Sequence, residues 1–216
     1  MRDLSYFVAT SLDGFIAGPD GDIDWLFTGG DYGYSEFYRS VDCVAMGRKT
    51  FELSLSFPEY PYRGKRAYVF TRRTLKPPHP DVVIVHEPPD AFLAELKQKA
   101  PDSESLSGER SGGSELRLAG RTSSSEPPLA GRTSSNEPPL AGRTGNKIWF
   151  VGGGELGGAL IQAGLIDELV LTIHPVTLGR GIPLFNPHDR RTDWALQTVT
   201  SYREGLVQVT YRRARE

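Results

Sequence analysis

Apolar positions along this chain follow three patterns, and each predicts a different element. Short, nearly unbroken apolar runs occur at Leu4–Thr10, Val41–Met46, Arg66–Phe70, Asp81–His86, Ile148–Val151 and Glu168–His174. Runs of this length, rich in β-branched and aromatic residues, predict strands buried on both faces. Helical spacing follows several of them. Glu155, Leu156, Ala159, Leu160 and Ala163 recur at that spacing, and Gly164 stands where a left-handed C-terminal residue is expected. Pro89–Ala100 predicts a helix with Phe92, Leu93 and Leu96 inward and Lys97 and Lys99 outward. Tyr34–Ser40 predicts a short helix packing through Phe37 and Tyr38. Strict alternation appears only near the end, in Trp194–Tyr202 and Leu206–Arg212, on either side of Glu204-Gly205. That is a hairpin signature. The expected architecture is α/β, a mainly parallel sheet with an antiparallel C-terminal hairpin.

The pattern fails between Pro101 and Asn146, which has almost no large apolar residues. An 11-residue unit starting at Leu118 repeats at Leu129 and begins again at Leu140. Solenoid units have periods of about 20–50 residues and bring a core with them. One leucine and one alanine per unit instead predict a low-complexity Ser/Pro/Gly insertion at about 101–146 with no chemistry of its own. The chain then reads as a single domain over 1–216, interrupted by this insertion.

Composition narrows the functional classes. A net charge of −2 over 216 residues offers no general attraction to nucleic acid or an anionic membrane. No apolar stretch is long enough to span a bilayer, and the first residues lack a secretion-signal pattern, so a cytoplasmic protein is expected. Cys43 is the single cysteine, which excludes an internal disulfide and a cysteine-based metal site. His79, His86, His174 and His188 share no metal-ligand spacing, so no metal is expected. No G-x-S-x-G elbow is present, and covalent catalysis has little support.

The candidate chemistry sits at strand ends. After Ile148–Val151 come Gly152, Gly153 and Gly154, then a helical segment starting at Glu155. Glycines there allow close approach to the backbone and leave helix N–H groups for an anion. Gly152, Gly154 and Gly157 fit G-x-G-x-x-G, but the acidic partner of a Rossmann unit is misplaced, since Asp167 and Glu168 precede the next strand. A tight turn without ligand remains the alternative. Two further strand ends carry Gly47-Arg48-Lys49-Thr50 and Thr71-Arg72-Arg73-Thr74. The first of these alone also reads as a charged helix start with Thr50 as a capping residue. Parallel strands would place all three on one carboxyl edge, where open α/β sheets bind ligands, and together they point to a phosphorylated cofactor. The first strand runs into a Gly-rich loop, Ser11–Asp22, with Asp13 and Asp24 as candidate acids. Its Phe15-Ile16-Ala17 triplet must cover either core or a flat ligand.

Read together, these segments resemble the dihydrofolate reductase-like superfamily. The similarity is greatest to stand-alone relatives of the reductase domain in bifunctional riboflavin-biosynthesis deaminase-reductases. The markers are Ser11-Leu-Asp-Gly14, Met46-Gly-Arg-Lys-Thr-Phe51, Val69-Phe-Thr-Arg72, Val151-Gly-Gly-Gly-Glu155, Pro175-Val-Thr-Leu-Gly179 and Ile182-Pro-Leu-Phe185. The resemblance implies an NADPH-dependent reductase acting on a small heterocyclic or sugar-bearing substrate, as a homodimer. It implies that Gly47, Arg48 and Thr50 bind cofactor phosphates and that Thr71 and Arg72 approach the adenosine 2′-phosphate. Gly152, Gly153, Gly154, Glu155 and Leu156 would lie along the pyrophosphate, with a cis peptide at Gly152–Gly153, and Val8, Ala9 and Ile16 would flank the nicotinamide. Asp13 is the expected catalytic residue, for substrate binding or proton supply, with a role in its own turn as the alternative. The deaminase half, with its H-x-E…P-C-x-x-C zinc site, is missing. Two other readings stay open: reduction of dihydrofolate itself, and NADPH binding without turnover.

Overall fold

The apolar runs become neighbouring strands of one sheet in a computed structural model that describes residues 1–100 and 145–214. In chain order the elements are β1 (Leu4–Thr10), β2 (Phe15–Ala17), α1 (Tyr34–Ser40), β3 (Val41–Gly47), α2 (Arg48–Leu55), β4 (Arg66–Phe70) and β5 (Val82–Val85). They continue with α3 (Pro89–Gln98), β6 (Lys147–Gly152), α4 (Gly154–Gln162), β7 (Glu168–Ile173), β8 (Ile182–Pro183), β9 (Trp194–Ser201) and β10 (Val207–Arg213). The repeats, and all but the last two residues of the insertion bounded at 101–146, lie outside the described residues.

The main sheet has the order β5-β4-β3-β6-β1-β7-β10-β9. The first six strands pair in parallel, and β10 joins β7 and β9 antiparallel. Alternate residues of each parallel strand enter opposite cores, so the runs read as continuously apolar. On one face Tyr6, Ala45, Ile148 and Phe150 pack with Leu93 and Leu96 of α3 and Leu160 of α4. On the other, Phe7, Val44, Met46 and Trp149 pack with Phe37 of α1 and Phe51 of α2. The result is the three-layer, dihydrofolate reductase-like arrangement of helices on both faces of a mostly parallel sheet.

Two expectations need correction. Lys97 points inward: its side chain is 2% exposed, and Nζ lies 2.6 Å from Asp167 and donates to the Leu165 carbonyl at 2.8 Å. The charge is tolerated because the chain entering β7 supplies an anion and an acceptor. The described residues contain no cis peptide bond; Gly152 and Gly153 make the turn with φ of 156° and 108° instead. Within the Pro175–Phe185 segment, β8 pairs antiparallel with β2.

Candidate active site

Two helix starts meet at the carboxyl edge of the sheet. β3 and β6 are parallel neighbours with Met46 opposite Gly152, so α2 and α4 begin side by side. Gly47 and Gly153 occupy their N-cap positions, and neither helix has a side-chain cap. Uncapped helix starts present N–H groups and positive dipole ends to whatever lies in front of them. A Cβ built on Gly47 would have its nearest neighbour in the Gly152 carbonyl oxygen, at 3.9 Å. At Gly152 and Gly153 it would lie 3.9 and 3.8 Å from the Thr50 hydroxyl. Gly47, Thr50, Gly152 and Gly153 therefore bound one open cradle that side chains would fill.

Other expected positions divide by what they touch. Gly154 is buried, and a Cβ there would collide with the Pro183 carbonyl, while Gly157 and Gly158 press on Leu184 and Asn186. The glycines beyond Gly153 thus seat α4 against the 183–186 strap. Leu156 packs on the core, and Glu155 is exposed in the first turn of α4. Arg48 Nη1 binds both carboxylate oxygens of Glu52, at 2.6 and 2.7 Å. An exposed pair of this kind contributes about 0–1 kcal/mol, so an arriving phosphate can compete for the guanidinium. At the end of β4, adjacent to β3, the Thr71 hydroxyl accepts from Arg73 N, and Arg72 is exposed. Val8 and Ala9 face opposite sides of β1, Val8 packing on the α3–α4 side.

The loop after β1 is stitched to the segment after β7. Leu12 N donates to the Val176 carbonyl at 2.8 Å, and Leu184 N donates to the Gly14 carbonyl at 2.9 Å. Asp13 completes the clasp: its carboxylate accepts from Ser11 Oγ at 2.6 Å, from Gly179 N at 2.7 Å and from Leu178 N at 3.1 Å. The Ser11 hydroxyl, with help from the Gly179 and Leu178 amides, lowers the Asp13 pKa from 3.8 to about 2. Ile16 lies in β2, whose partner β8 belongs to the same clasp. Because the folded-state pKa is depressed, the Asp13 contribution is present above the unfolded value and is lost as pH falls toward 2. The stability gap between the wild type and Asp13→Asn is therefore expected to narrow between pH 5 and pH 2, as read from urea midpoints. A gap constant across that range would show that the carboxylate charge does not hold the loops.

At the ends of β1 and β7 lies a small open cleft. It is lined by Phe7, Ala9, Phe27, Asp31, Tyr32, Tyr34, Thr172 and His174. His174 is 3% exposed, and Nδ1 lies 3.2 Å from the Thr172 carbonyl, while Nε2 has no hydrogen-bond partner among the described residues. Burial lowers its pKa below the ordinary value. The buried Tyr32 hydroxyl also lacks a partner there, and Tyr32, at φ 45°, is the one non-glycine residue with positive φ among the described residues. Asp31 faces α1, accepting from the Ser35 amide at 3.0 Å and the Ser35 hydroxyl at 2.7 Å. None of these cleft residues except Ala9 is marked by the sequence. The available signal was Thr172 and His174 alternating with Leu171 and Ile173 at the end of a buried strand.

A family profile described as the RibD C-terminal domain matches residues 138–208. The Bacillus subtilis (strain 168) protein named Uncharacterized protein YwjB is 34% identical over 217 residues, covering 99% of each chain. A second protein of that organism, Uncharacterized protein YyaP, is 27% identical over 97% of this chain and 94% of its own length. A crystal structure from Shewanella sp. PV-4, assigned to riboflavin biosynthesis, superposes with a TM-score of 0.69 at 24% identity, covering 100% of both chains. The Thermotoga maritima diaminohydroxyphosphoribosylaminopyrimidine deaminase/5-amino-6-(5-phosphoribosylamino)uracil reductase superposes with a TM-score of 0.60 at 14% identity, over 99% of this chain and 57% of that one. Full-length similarity at 34% identity, a matching profile and a shared fold place the chain in the RibD C-terminal domain family, among riboflavin-biosynthesis reductase-like proteins.

Proposed function

We propose that this protein is an NADPH-dependent reductase of a small heterocyclic substrate. The observation that carries the reading is the open cradle of Gly47, Thr50, Gly152 and Gly153 between two uncapped helix starts. It suits a pyrophosphate: the backbone can be approached closely, N–H groups face outward, and a hydroxyl stands at its side. When bound, NADPH supplies the hydride for a polarised C=N or C=O. The chain's own residues hold and orient. Arg48, released from Glu52, neutralises phosphate charge. Thr71 and Arg72 reach toward the 2′-phosphate, Glu155 and Leu156 border the pyrophosphate, and Val8, Ala9 and Ile16 frame the nicotinamide. Asp13 acts as a positioning residue, since its oxygens are engaged by the clasp and its lowered pKa leaves it ionised. The substrate enters the cleft beside Ala9, and its class follows the uracil derivative named for the Thermotoga relative.

The first test is calorimetric titration of the purified protein with NADPH, where absence of binding ends the reading. Binding without oxidation across uracil- and pterin-type substrates would favour a nucleotide-binding protein without turnover. Oxidation with dihydrofolate would redirect the substrate assignment. Arg72→Ala is expected to weaken NADPH about tenfold and leave NADH nearly unchanged, because a charge-assisted hydrogen bond contributes roughly 1.5–3 kcal/mol. Equal losses for the two nucleotides would remove the 2′-phosphate assignment.

A further inference from the structure

The cleft at the ends of β1 and β7 carries a fixed hydrogen-bond polarity. Gln208 Nε2 donates to the Thr172 hydroxyl oxygen at 2.9 Å and to the Tyr32 carbonyl at 2.8 Å. With its oxygen engaged as an acceptor, the Thr172 hydroxyl has its proton to give. Two residues on, His174 Nδ1 lies 3.2 Å from the Thr172 carbonyl. A carbonyl can only accept, so Nδ1 carries the proton, and in the neutral imidazole Nε2 is a bare acceptor. That atom is buried and has no hydrogen-bond partner among the described residues. Trp25 and Phe27 hold the ring edge-to-face, at 5.2 and 5.4 Å. Residues i and i+2 of a strand share one face, and Thr172 and His174 both line the cleft.

We propose that His174 is a specificity-determining residue whose Nε2 accepts a hydrogen bond from a ring or amino N–H of the substrate, with the Thr172 hydroxyl donating to a substrate carbonyl or ring nitrogen. This rests on the reductase reading of the cleft as the substrate site. It selects planar heterocycles with a lactam-like pattern, because a ligand without a donor leaves the buried Nε2 unpaired. Burial keeps the imidazole neutral near pH 7, the form the acceptor role needs.

Lumazine and 1,3-dimethyllumazine are suitable probes, since the second lacks every ring N–H of the first. Nitrogen-15 spectra of the wild type, with His174 assigned through His174→Phe, are expected to show the Nδ1–H tautomer and an Nε2 shift when lumazine is added. Lumazine is expected to bind at least tenfold more tightly than the dimethyl compound. His174→Phe should abolish that difference, and Thr172→Val should weaken lumazine several-fold, while NADPH affinity stays within twofold in both variants. An Nε2–H tautomer, equal affinity for the two compounds, binding of neither, or discrimination that survives His174→Phe would overturn the proposal. If His174→Phe fails to fold, loss of discrimination is read in His174→Leu, and the wild-type tautomer and affinities decide the rest. NADPH binding without lumazine discrimination sinks this inference alone. Discrimination without NADPH binding sinks the cofactor reading and leaves the cleft assignment standing.

Discussion

Gly153→Ala is expected to weaken NADPH binding more than tenfold while leaving a folded protein. Gly153 sits at φ 108° and ψ 104°, a conformation that L side chains rarely adopt, and holding one there costs on the order of 1–3 kcal/mol. The new methyl would meet no protein atom closer than the Thr50 hydroxyl at 3.8 Å. Its volume therefore goes into the cradle, where the pyrophosphate is proposed to lie, and the backbone there can relax only by moving the start of α4. Gly64→Ala is the control: φ is 76°, and a Cβ there has open space around it. It imposes a similar backbone cost away from the site and should leave NADPH affinity unchanged. Calorimetric Kd values together with urea midpoints separate the two effects. If Gly153→Ala loses stability but binds NADPH as tightly as wild type, the three-glycine turn is only a turn.

Lys97→Met is expected to lower stability by about 3 kcal/mol. The ammonium is enclosed, with Asp167 at 2.6 Å and the Leu165 carbonyl at 2.8 Å. Removing one member of a buried pair costs roughly 3–5 kcal/mol, because the other charge stays desolvated. The lower end applies because Asp167 is 15% exposed and keeps Arg213 at 3.2 Å and the Leu4 amide at 2.8 Å. Methionine retains most of the apolar stem, so the loss reports the charge and its hydrogen bonds rather than a cavity. In an Asp167→Asn background the same change should cost markedly less. Equal costs in both backgrounds would show that the pair is not coupled.

Much of the architecture was legible in the sequence because burial on both faces leaves a direct trace. Leu4–Thr10, Tyr34–Ser40 and Arg66–Phe70 have the same bounds in the structure as in the apolar pattern. The parallel edge could be anticipated, since helical segments between buried strands require crossovers. That three phosphate-suited strand ends would share one edge was conditional on the strands being parallel, and β4, β3 and β6 are adjacent and parallel.

What the sequence by itself determined was the strand and helix pattern, the glycines at the strand ends, and hence the class of fold. These are local properties, set by side-chain period and backbone freedom over a few residues. Tertiary structure alone decided the rest. Lys97 is polar by type and peripheral by period, yet it is enclosed because residues 165–167, far along the chain, supply its partners. Asp13 looks like a loop acid until Leu178 and Gly179 bring their amides to it. Gly154 and Gly157 share a motif with Gly152, but the 183–186 strap takes the space their missing side chains leave. His174 carries no motif at all. Its bare nitrogen acquires meaning only where β1, β7 and the Trp25–Tyr34 segment enclose it, because hydrogen-bond satisfaction depends on contacts that no local pattern records.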